Sequence, residues 1–347
     1  MQIRENVLLA PFTTFKAGGE ARYFDEVTNT DDLEKAVLFA RERNAPIFIL
    51  GGGSNILVSD NGFYGLAIKI SLRGIRRENE NDLARVIVSA GEAWDDFVEY
   101  AVSNGLHGLE NLSGIPGSVG AAPIQNIGAY GVEAGDLIEN VSALDSETGA
   151  VKNFSGEECD FSYRGSFFKT GAGKKFVILS VTFLLKLKAP LSLGYRGISD
   201  YFKDRGIREK DASIKDTRAA VLAIRQSKLP PLEKFGTAGS FFKNPVVSLE
   251  KLNDLLRVFP DTPHFAEKNG TIKIPAAYLI EKSGFKGTRR GDAGVYDKHA
   301  LVLVNLGGAK SADIYALAGE IRCGVFEKTG ILLESEVNLV GEFGDGL

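Results

Sequence analysis

Apolar positions along the chain switch repeatedly between two periods. Leu33, Ala36, Val37 and Ala40 share one helical face, and Asp31 with Glu34 three residues on predicts an N-cap and its capping-box partner. Residues 46–50 are a continuous apolar run after a proline, which reads as a buried strand. That strand leads directly into Gly51-Gly52-Gly53-Ser54-Asn55, and Ile56-Leu57-Val58 resumes the extended pattern. The charged stretch 76–82 reads as a boundary. A second segment opens with the strand Val86-Ile87-Val88. A helix follows with Trp94, Phe97, Val98, Ala101 and Val102 on one face, and Gly105 lies just past its end. A glycine-rich connection over 111–131 comes next, then mostly strands, the last over 176–185. A helix over 216–226 runs into Lys228-Leu229-Pro230-Pro231, which reads as a linker. The third segment places Pro275 at a helix N1 position with Gly284 closing that helix. It continues with a strand over 300–304, a helix capped by Ser311 that carries Ile314, Leu317, Ala318, Ile321 and Val325, and a strand over 331–337. No internal repeat or low-complexity tract appears. The mixed succession predicts an α+β chain, and 347 residues suggest two or three domains at roughly 100–200 residues each.

Composition narrows the function more than the fold. Lys plus Arg is 41 and Asp plus Glu is 45, for a net charge of −4. Broad electrostatic binding of nucleic acid needs a dense basic face, so a nucleic-acid partner is not expected. The two cysteines, Cys159 and Cys323, form no CxxC, and the three histidines are scattered, so no zinc spacing exists and no metal is expected. Cysteine usage fits a reducing cytoplasm. The first residues lack an apolar core of the signal-peptide kind. The apolar run 176–185 is about half the ~20 residues of a membrane helix, so no membrane insertion is expected. Glycine is the outlier, 40 residues or about 12% against a usual ~7%. That excess predicts tight turns and close backbone approach to a ligand.

Three glycine-rich stretches carry the candidate chemistry. Gly51 to Asn55 can form an anion nest of successive backbone N–H groups or a plain tight turn. It is not a dinucleotide fingerprint, because Ile56 stands where the last glycine belongs, and not a P-loop, because no GK[ST] follows. The stretch Gly114-Ile115-Pro116-Gly117-Ser118-Val119-Gly120, continuing to Gly128-Ala129-Tyr130-Gly131, is long for a structureless connection, and such loops are usually functional. Two glycine loops suit a ligand with an extended pyrophosphate. The third stretch, Phe235 to Pro245, presents Ser240 between glycines and aromatics. No GxSxG elbow surrounds it, so the serine reads as a strand-start residue or as a proton donor, not as an acyl-enzyme nucleophile. Tyr163-Arg164 is either a surface pair or a carboxylate grip. Glu336 is either a solvated strand residue or a functional carboxylate.

Together, GGGSN, IPGSVGAAPIQNIGAYG, YRGSFFK, KLPPLEKFGTAGSFFKNP and ESEV stand in the order found in the UDP-N-acetylenolpyruvoylglucosamine reductases, and nearly the whole chain resembles that family. The resemblance implies three domains. Two, over 1–72 and 73–229, would form a vanillyl-alcohol-oxidase-type FAD-binding unit, the second of them completed by a C-terminal strand in 330–347. The third, over 230–329, would be an α+β substrate domain. It implies non-covalent FAD, NADPH as reductant, and UDP-N-acetylglucosamine enolpyruvate as substrate, reduced to UDP-N-acetylmuramate in peptidoglycan synthesis in the cytoplasm. By matched position, Ser240 is the proton donor, and Arg164 and Glu336 stabilise the enolic intermediate. The flavin would be held by Gly51, Gly52, Gly53, Ser54, Asn55, Ile115, Pro116, Gly117, Ser118, Gly120, Ala129, Tyr130 and Arg164. The nucleotide sugar would be held by Tyr163, Tyr195, Lys228, Asn244, Lys286 and His299. Tyr195 resembles the mobile tyrosine of the long-loop (type I) subtype. Phe265 departs from the pattern, standing where that form often has a tyrosine near the diphosphate.

Two other classes compete. A flavoprotein oxidase of the same fold often tethers its flavin through His or Cys, and GGGSN holds neither. It would also leave AGSFFKNP without a purpose. A non-catalytic nucleotide-sugar binder would not need Arg164, Ser240 and Glu336 together.

Overall fold

The computed structural model describes residues 2–267 and 269–344. Among them the chain groups into two compact units: residues 2–6, Arg22–Gly52 and Tyr64–Ser227 in one, Val7–Ala21, Gly53–Phe63 and the described residues from 228 to 344 in the other. The architecture is α+β, as the alternating periods predict.

The first unit carries two sheets over one continuous core. A four-stranded sheet runs Arg4–Leu8, Glu20–Val27, Phe63–Ile70, Ile47–Leu50, with the last two parallel. The helix Thr30–Glu42 buries Leu33, Ala36, Val37 and Ala40, the face its spacing predicts. Its cap is Asn29, whose side chain accepts from Asp32 N, so the helix starts earlier than the Asp31 cap read from sequence. A five-stranded antiparallel sheet runs Val151–Ser155, Ile138–Asp145, Phe176–Lys186, Leu83–Ser89, Ile75–Glu80. The charged stretch expected to be a boundary is therefore the edge strand of a hairpin, Ile75–Glu80 against Leu83–Ser89. Charge suits an exposed edge, because it blunts pairing with other chains. The helix Trp94–Ser103 packs Trp94, Phe97 and Phe183 ring against ring beneath this sheet. Gly105 follows its Asn104 cap at φ +70°, the left-handed exit that glycine tolerates.

The second unit is built around the helix Ser311–Thr329, which buries Ile314, Leu317, Ala318, Ile321 and Val325 against Phe241, Phe242, Leu279 and Leu303. Ser311 is the first helical residue, not the cap. Both oxygens of Asp60 accept from the first helix amides, Ser311 N and Ala312 N, at 2.9 Å each. Pro275 sits at the cap of Ala276–Lys282, one residue before the expected N1 position. The segment 331–337, read from sequence as a strand, carries a single β-bridge, Ser335 to Phe242. The regular strand is Asn338–Val340, parallel to Ile56–Val58. The C-terminal strand thus completes the unit of residues 228–344, not the segment 73–229 that the sequence reading gave it. The expected 229/230 boundary lies beside the unit edge after Ser227.

Asp60 supplies from 251 residues away the acceptors that a local N-cap normally gives. Asp60→Ala should lower the stability of the second unit by ~1–2 kcal/mol, the cost of a lost cap. Denaturant unfolding followed by amide exchange at residues 311–315 measures it. Unchanged protection of those amides would mean that the cap contributes nothing.

Candidate functional site

In the first unit the two glycine loops meet back to back. A Cβ on Gly52 would lie 2.6 Å from Gly117 Cα, and one on Gly51 would lie 2.5 Å from Ser118 Oγ. Only glycine permits that approach. The second loop is seated on the start of the helix Trp94–Ser103. Trp94 N donates to Gly117 O at 3.0 Å, Ala93 bridges Ser118, and the Trp94 indole donates to Leu112 O at 2.9 Å. Val119 N and Gly120 N donate to Glu92 O and Ala90 O, both at 2.9 Å, at the end of the strand Leu83–Ser89. Pro116 is exposed, and Ile115 and Gly117 are half-buried. The loop from Ile115 to Gly120 is therefore held by backbone hydrogen bonds, with Pro116 exposed.

Further along, Gly128–Ala129 and Val132–Glu133 form a short hairpin whose two-residue loop is Tyr130-Gly131, at φ +51° and +82°. Positive φ at both positions is the type I′ pattern, where Asn-Gly is usual and tyrosine costs strain. Tyr163-Arg164 is also the centre of a tight turn, closed by reciprocal Ser162–Gly165 hydrogen bonds of 3.0 Å, with Arg164 at φ +55°. Among the described residues, eight non-glycines take positive φ. Only Lys16, Tyr130 and Arg164 of these are neither Asn nor Asp. Arg164 Nη2 donates to Gly128 O at 3.1 Å, so the two turns touch. Asn126 ties them again, donating to Ser162 O and Glu133. The Tyr195 ring stands edge-on to Tyr130 at 4.8 Å. Burial raises the Tyr130 phenol pKa, opposed by the Arg225 charge and the hydrogen bond between the two groups.

In the second unit, Gly53 sits at φ +63° against the Phe12 carbonyl, with no room for a Cβ. Asn55 ends the loop. Its Nδ2 donates to Glu336 O at 3.0 Å, and its carbonyl accepts from Asn338 N. The run from Gly236 to Lys243 lies between two others: Gly236 and Ser240 bridge Asn305 and Val302 on one side, and Phe242 bridges Ser335 on the other. Glu336 N donates to Phe241 O at 2.8 Å, so Ser240 and Glu336 are near neighbours across this ladder. Phe241 and Val337 are buried, while Ser240 and Glu336 are half-exposed. Thr237 shapes the turn before Ser240: its hydroxyl donates to Leu303 O at 2.7 Å and accepts from Gly239 N at 3.2 Å.

Four of the expected nucleotide-sugar residues also lie in this unit. The His299 imidazole pKa is lowered, first by burial and then by the charges of Lys228 and Lys286. Lys286 pairs with Glu281 at 3.1 Å, and Lys228 is exposed. Asn244 Oδ1 accepts from Ala276 N at 2.9 Å, which fixes it at the start of Ala276–Lys282. Phe265 is 59% exposed. The two cysteines are unlinked, and burial pushes the Cys159 thiol up to about 12, too high for a nucleophile. No cluster of three or more His, Cys, Asp or Glu capable of holding a metal occurs among the described residues, and none of their helices is long and apolar enough to cross a membrane.

Sequence reasoning missed the residues that support the site. Asp95 and Arg218 hold Gly114, Thr237 shapes the Ser240 turn, and Asn111 donates to the Tyr130 and Ser192 carbonyls at 2.9 and 2.8 Å. Each acts on a partner distant in sequence or on a backbone group, and spacing alone signals neither.

Two family descriptions match the chain: an FAD binding domain over residues 21–155, and the C-terminal domain of UDP-N-acetylenolpyruvoylglucosamine reductase over residues 230–340. The UDP-N-acetylenolpyruvoylglucosamine reductase of Pseudomonas putida is 42% identical over 98% of this chain and 99% of its own length. That of Chromobacterium violaceum is 43% identical over 97% and 98%. The crystal structure of the Thermus caldophilus reductase superposes with a TM-score of 0.68 at 27% identity, covering 98% of this chain and all of the other. With that identity sustained from end to end, and with the glycine loops and the Ser240–Glu336 ladder in place, the chain belongs to the UDP-N-acetylenolpyruvoylglucosamine reductase family.

Proposed function

We propose that this protein is a cytoplasmic flavoenzyme that reduces UDP-N-acetylglucosamine enolpyruvate to UDP-N-acetylmuramate at the expense of NADPH. The observation that carries this reading is the pairing of Ser240 and Glu336 on one backbone ladder, Glu336 N to Phe241 O, in a chain with a glycine cradle suited to a pyrophosphate. The cradle fits FAD, because the Gly52–Gly117 approach leaves backbone where side chains would otherwise stand. Gly51 to Asn55, Ile115 to Gly120, Ala129 and Tyr130 would hold the cofactor. Bound FAD supplies a hydride, taken from NADPH and passed to the enolpyruvyl methylene carbon.

The protein's own groups handle the charge and the proton. Hydride addition leaves negative charge on the carboxylate side of the substrate. Fixed donors aimed at developing charge lower such a barrier. Arg164 is the donor for that carboxylate. Its planar guanidinium suits two-pronged binding, and its strained backbone is the conformation expected of a side chain held for function. Ser240 Oγ–H donates the proton to the carbon adjacent to the one that takes the hydride. Glu336 takes part either as a protonated acid or by orienting its neighbours. Lys228, Lys286, His299 and Asn244 bind the nucleotide sugar, Tyr163 contacts the substrate, and Tyr195 closes over it as in the long-loop subtype. Phe265 lacks a hydroxyl, so one hydrogen bond to the diphosphate is missing.

The reading separates into two half-reactions. NADPH should bleach the flavin of Ser240→Ala normally, whereas enolpyruvyl substrate should restore its colour ~10²–10⁴-fold more slowly, the usual worth of a positioned acid. Arg164→Lys should slow that second step too, because an ammonium lacks the planar fork. Anaerobic stopped-flow absorbance measures both steps. Wild-type reoxidation by Ser240→Ala removes the serine from the mechanism.

Gly52→Val places a branched side chain on Gly117 rather than merely narrowing a ligand slot. The loops must part, and flavin should be lost. The ratio of flavin to protein absorbance in the purified variant reports this, and full occupancy would contradict the cradle.

The His299 shift has a sign. Its folded pKa lies below the unfolded value of ~6.5, so the folded protein holds a neutral imidazole at pH 7 and loses stability as pH falls from ~6.5 toward the folded value. His299→Gln should shrink the drop in unfolding temperature between pH 7.5 and pH 5.5. An equal drop in both proteins would show that His299 does not titrate in that window.

A further inference from the structure

Gly114 opens the second glycine loop, and an ion pair holds its amide. Gly114 N donates to Asp95 Oδ1 at 2.6 Å. Arg218 grips the same carboxylate with both prongs, Nη1 to Oδ1 at 2.6 Å and Nη2 to Oδ2 at 3.0 Å. The Arg218 side chain is only 11% exposed, and it also lies 3.5 Å from Glu99. Burial raises the Asp95 pKa, but Arg218 and the Gly114 amide outweigh it and hold the carboxyl below its usual range.

The helix Ile214–Lys228 brings more than Arg218 to this point. Leu222 and Arg225 follow at i+4 and i+7, on the same face. A Cβ on Gly114 would lie 2.9 Å from Leu222 Cδ2 and 3.0 Å from Arg225 Nε. Gly114 has φ +71°. One helix face therefore covers this glycine, while Asp95, from the first turn of Trp94–Ser103, fixes its N–H. The neighbouring anchors, Trp94 N to Gly117 O and Val119 N to Glu92 O, use backbone alone. Among the loop's anchors described here, Asp95 is the side chain that an ion pair orients.

We infer that Asp95, oriented by Arg218, is a positioning residue for the flavin: it sets the path of the backbone from Gly114 to Gly117 and thereby the affinity for FAD. The inference rests on the flavoenzyme reading above. The two bonds of Asp95 make different predictions for stability and for cofactor binding. Asp95→Ala abandons a buried guanidinium and frees the Gly114 amide. Removing Arg218 as well abolishes the stranded charge but returns nothing to the amide.

The test is a double-mutant cycle on the holoenzyme. Flavin fluorescence on serial dilution gives the dissociation constant for FAD, and denaturant unfolding gives the midpoint. Asp95→Ala should weaken FAD binding ~10-fold or more, as expected for loss of a hydrogen bond to a charged acceptor. Asp95→Ala/Arg218→Ala should recover much of the unfolding midpoint while its FAD affinity stays within about twofold of Asp95→Ala. Asp95→Asn keeps an acceptor for Gly114, so it should bind FAD more tightly than Asp95→Ala, and it serves if the alanine variant does not fold. The inference is overturned if FAD affinity recovers in step with stability in the double variant, or if both Asp95→Ala and Asp95→Asn bind FAD like the parent. A parent protein that holds no FAD would instead overturn the flavoenzyme reading itself.

Discussion

The close approach of Gly52 to Gly117 is the constraint on which the meeting of the two glycine loops depends. Two strands, Ile47–Leu50 and Leu83–Ser89, belong to different sheets, and each feeds a glycine loop or its support. For the loops to meet, both must give up side chains, at a conformational cost of roughly 0.5–1 kcal/mol per glycine relative to alanine in regular structure. Nothing about packing alone demands that expense, since a larger residue with a different loop path would bury more surface. What the arrangement gains is backbone with no side chains in front of it. The surrounding structure is organised to keep it so. The helix Trp94–Ser103 anchors the second loop through its first turn, and Ala90 and Glu92, just past the strand Leu83–Ser89, hold Gly120 and Val119.

Much of this was legible from the order of residues, and what escaped has a common cause. Helix faces such as Leu33–Ala40 and Trp94–Val102 are set by neighbours three and four apart, and they read correctly. Glycine loops announce themselves because no other residue relieves the same steric limits. The errors come from contacts that sequence spacing does not contain. Asp31 is a good cap by composition, but Asn29 is the residue whose side chain reaches Asp32 N. The charged stretch 76–82 reads as a boundary because an edge strand and a domain boundary both face water. The run 331–337 has strand composition, yet most of its backbone pairs irregularly, because its partners are the irregular segment around Ser240 and not a regular strand. The supports of the site were invisible for the same reason: Asp60 and Ser311, or Asp95 and Arg218, are ordinary charged and polar residues until the fold brings them together.

Backbone strain adds evidence that neither composition nor motif could provide. Left-handed backbone costs roughly 1–2 kcal/mol for an ordinary side chain, and turns that need it are normally given to Gly or Asn. Tyr130 and Arg164 keep their large side chains at such positions, in two turns that hydrogen-bond to each other through Arg164 and Gly128. Glycine at either site would ease the backbone and forfeit the phenol or the guanidinium. Retention of both side chains is best understood if the side chains themselves are needed, which is the direction in which strain supports function.

Asn55 ties the end of the first glycine loop to the backbone of Glu336 within the second unit. The last residue of the first glycine loop spends its side-chain amide on the carbonyl of Glu336, and its own carbonyl accepts from Asn338 N. The Glu336 peptide is thus held on both sides, its carbonyl by Asn55 and its N–H by Phe241, next to Ser240. A hydrogen-bonded backbone of this kind moves as a unit or not at all, because a peptide group that loses a buried partner leaves a donor or acceptor unsatisfied at a cost of ~1–3 kcal/mol. The end of the first glycine loop, Glu336 and Ser240 therefore share one backbone frame. A change in the path of residues 53–55 is passed to Glu336 directly and to Ser240 one peptide later, so a loop shaped by glycine geometry also sets where these two residues stand.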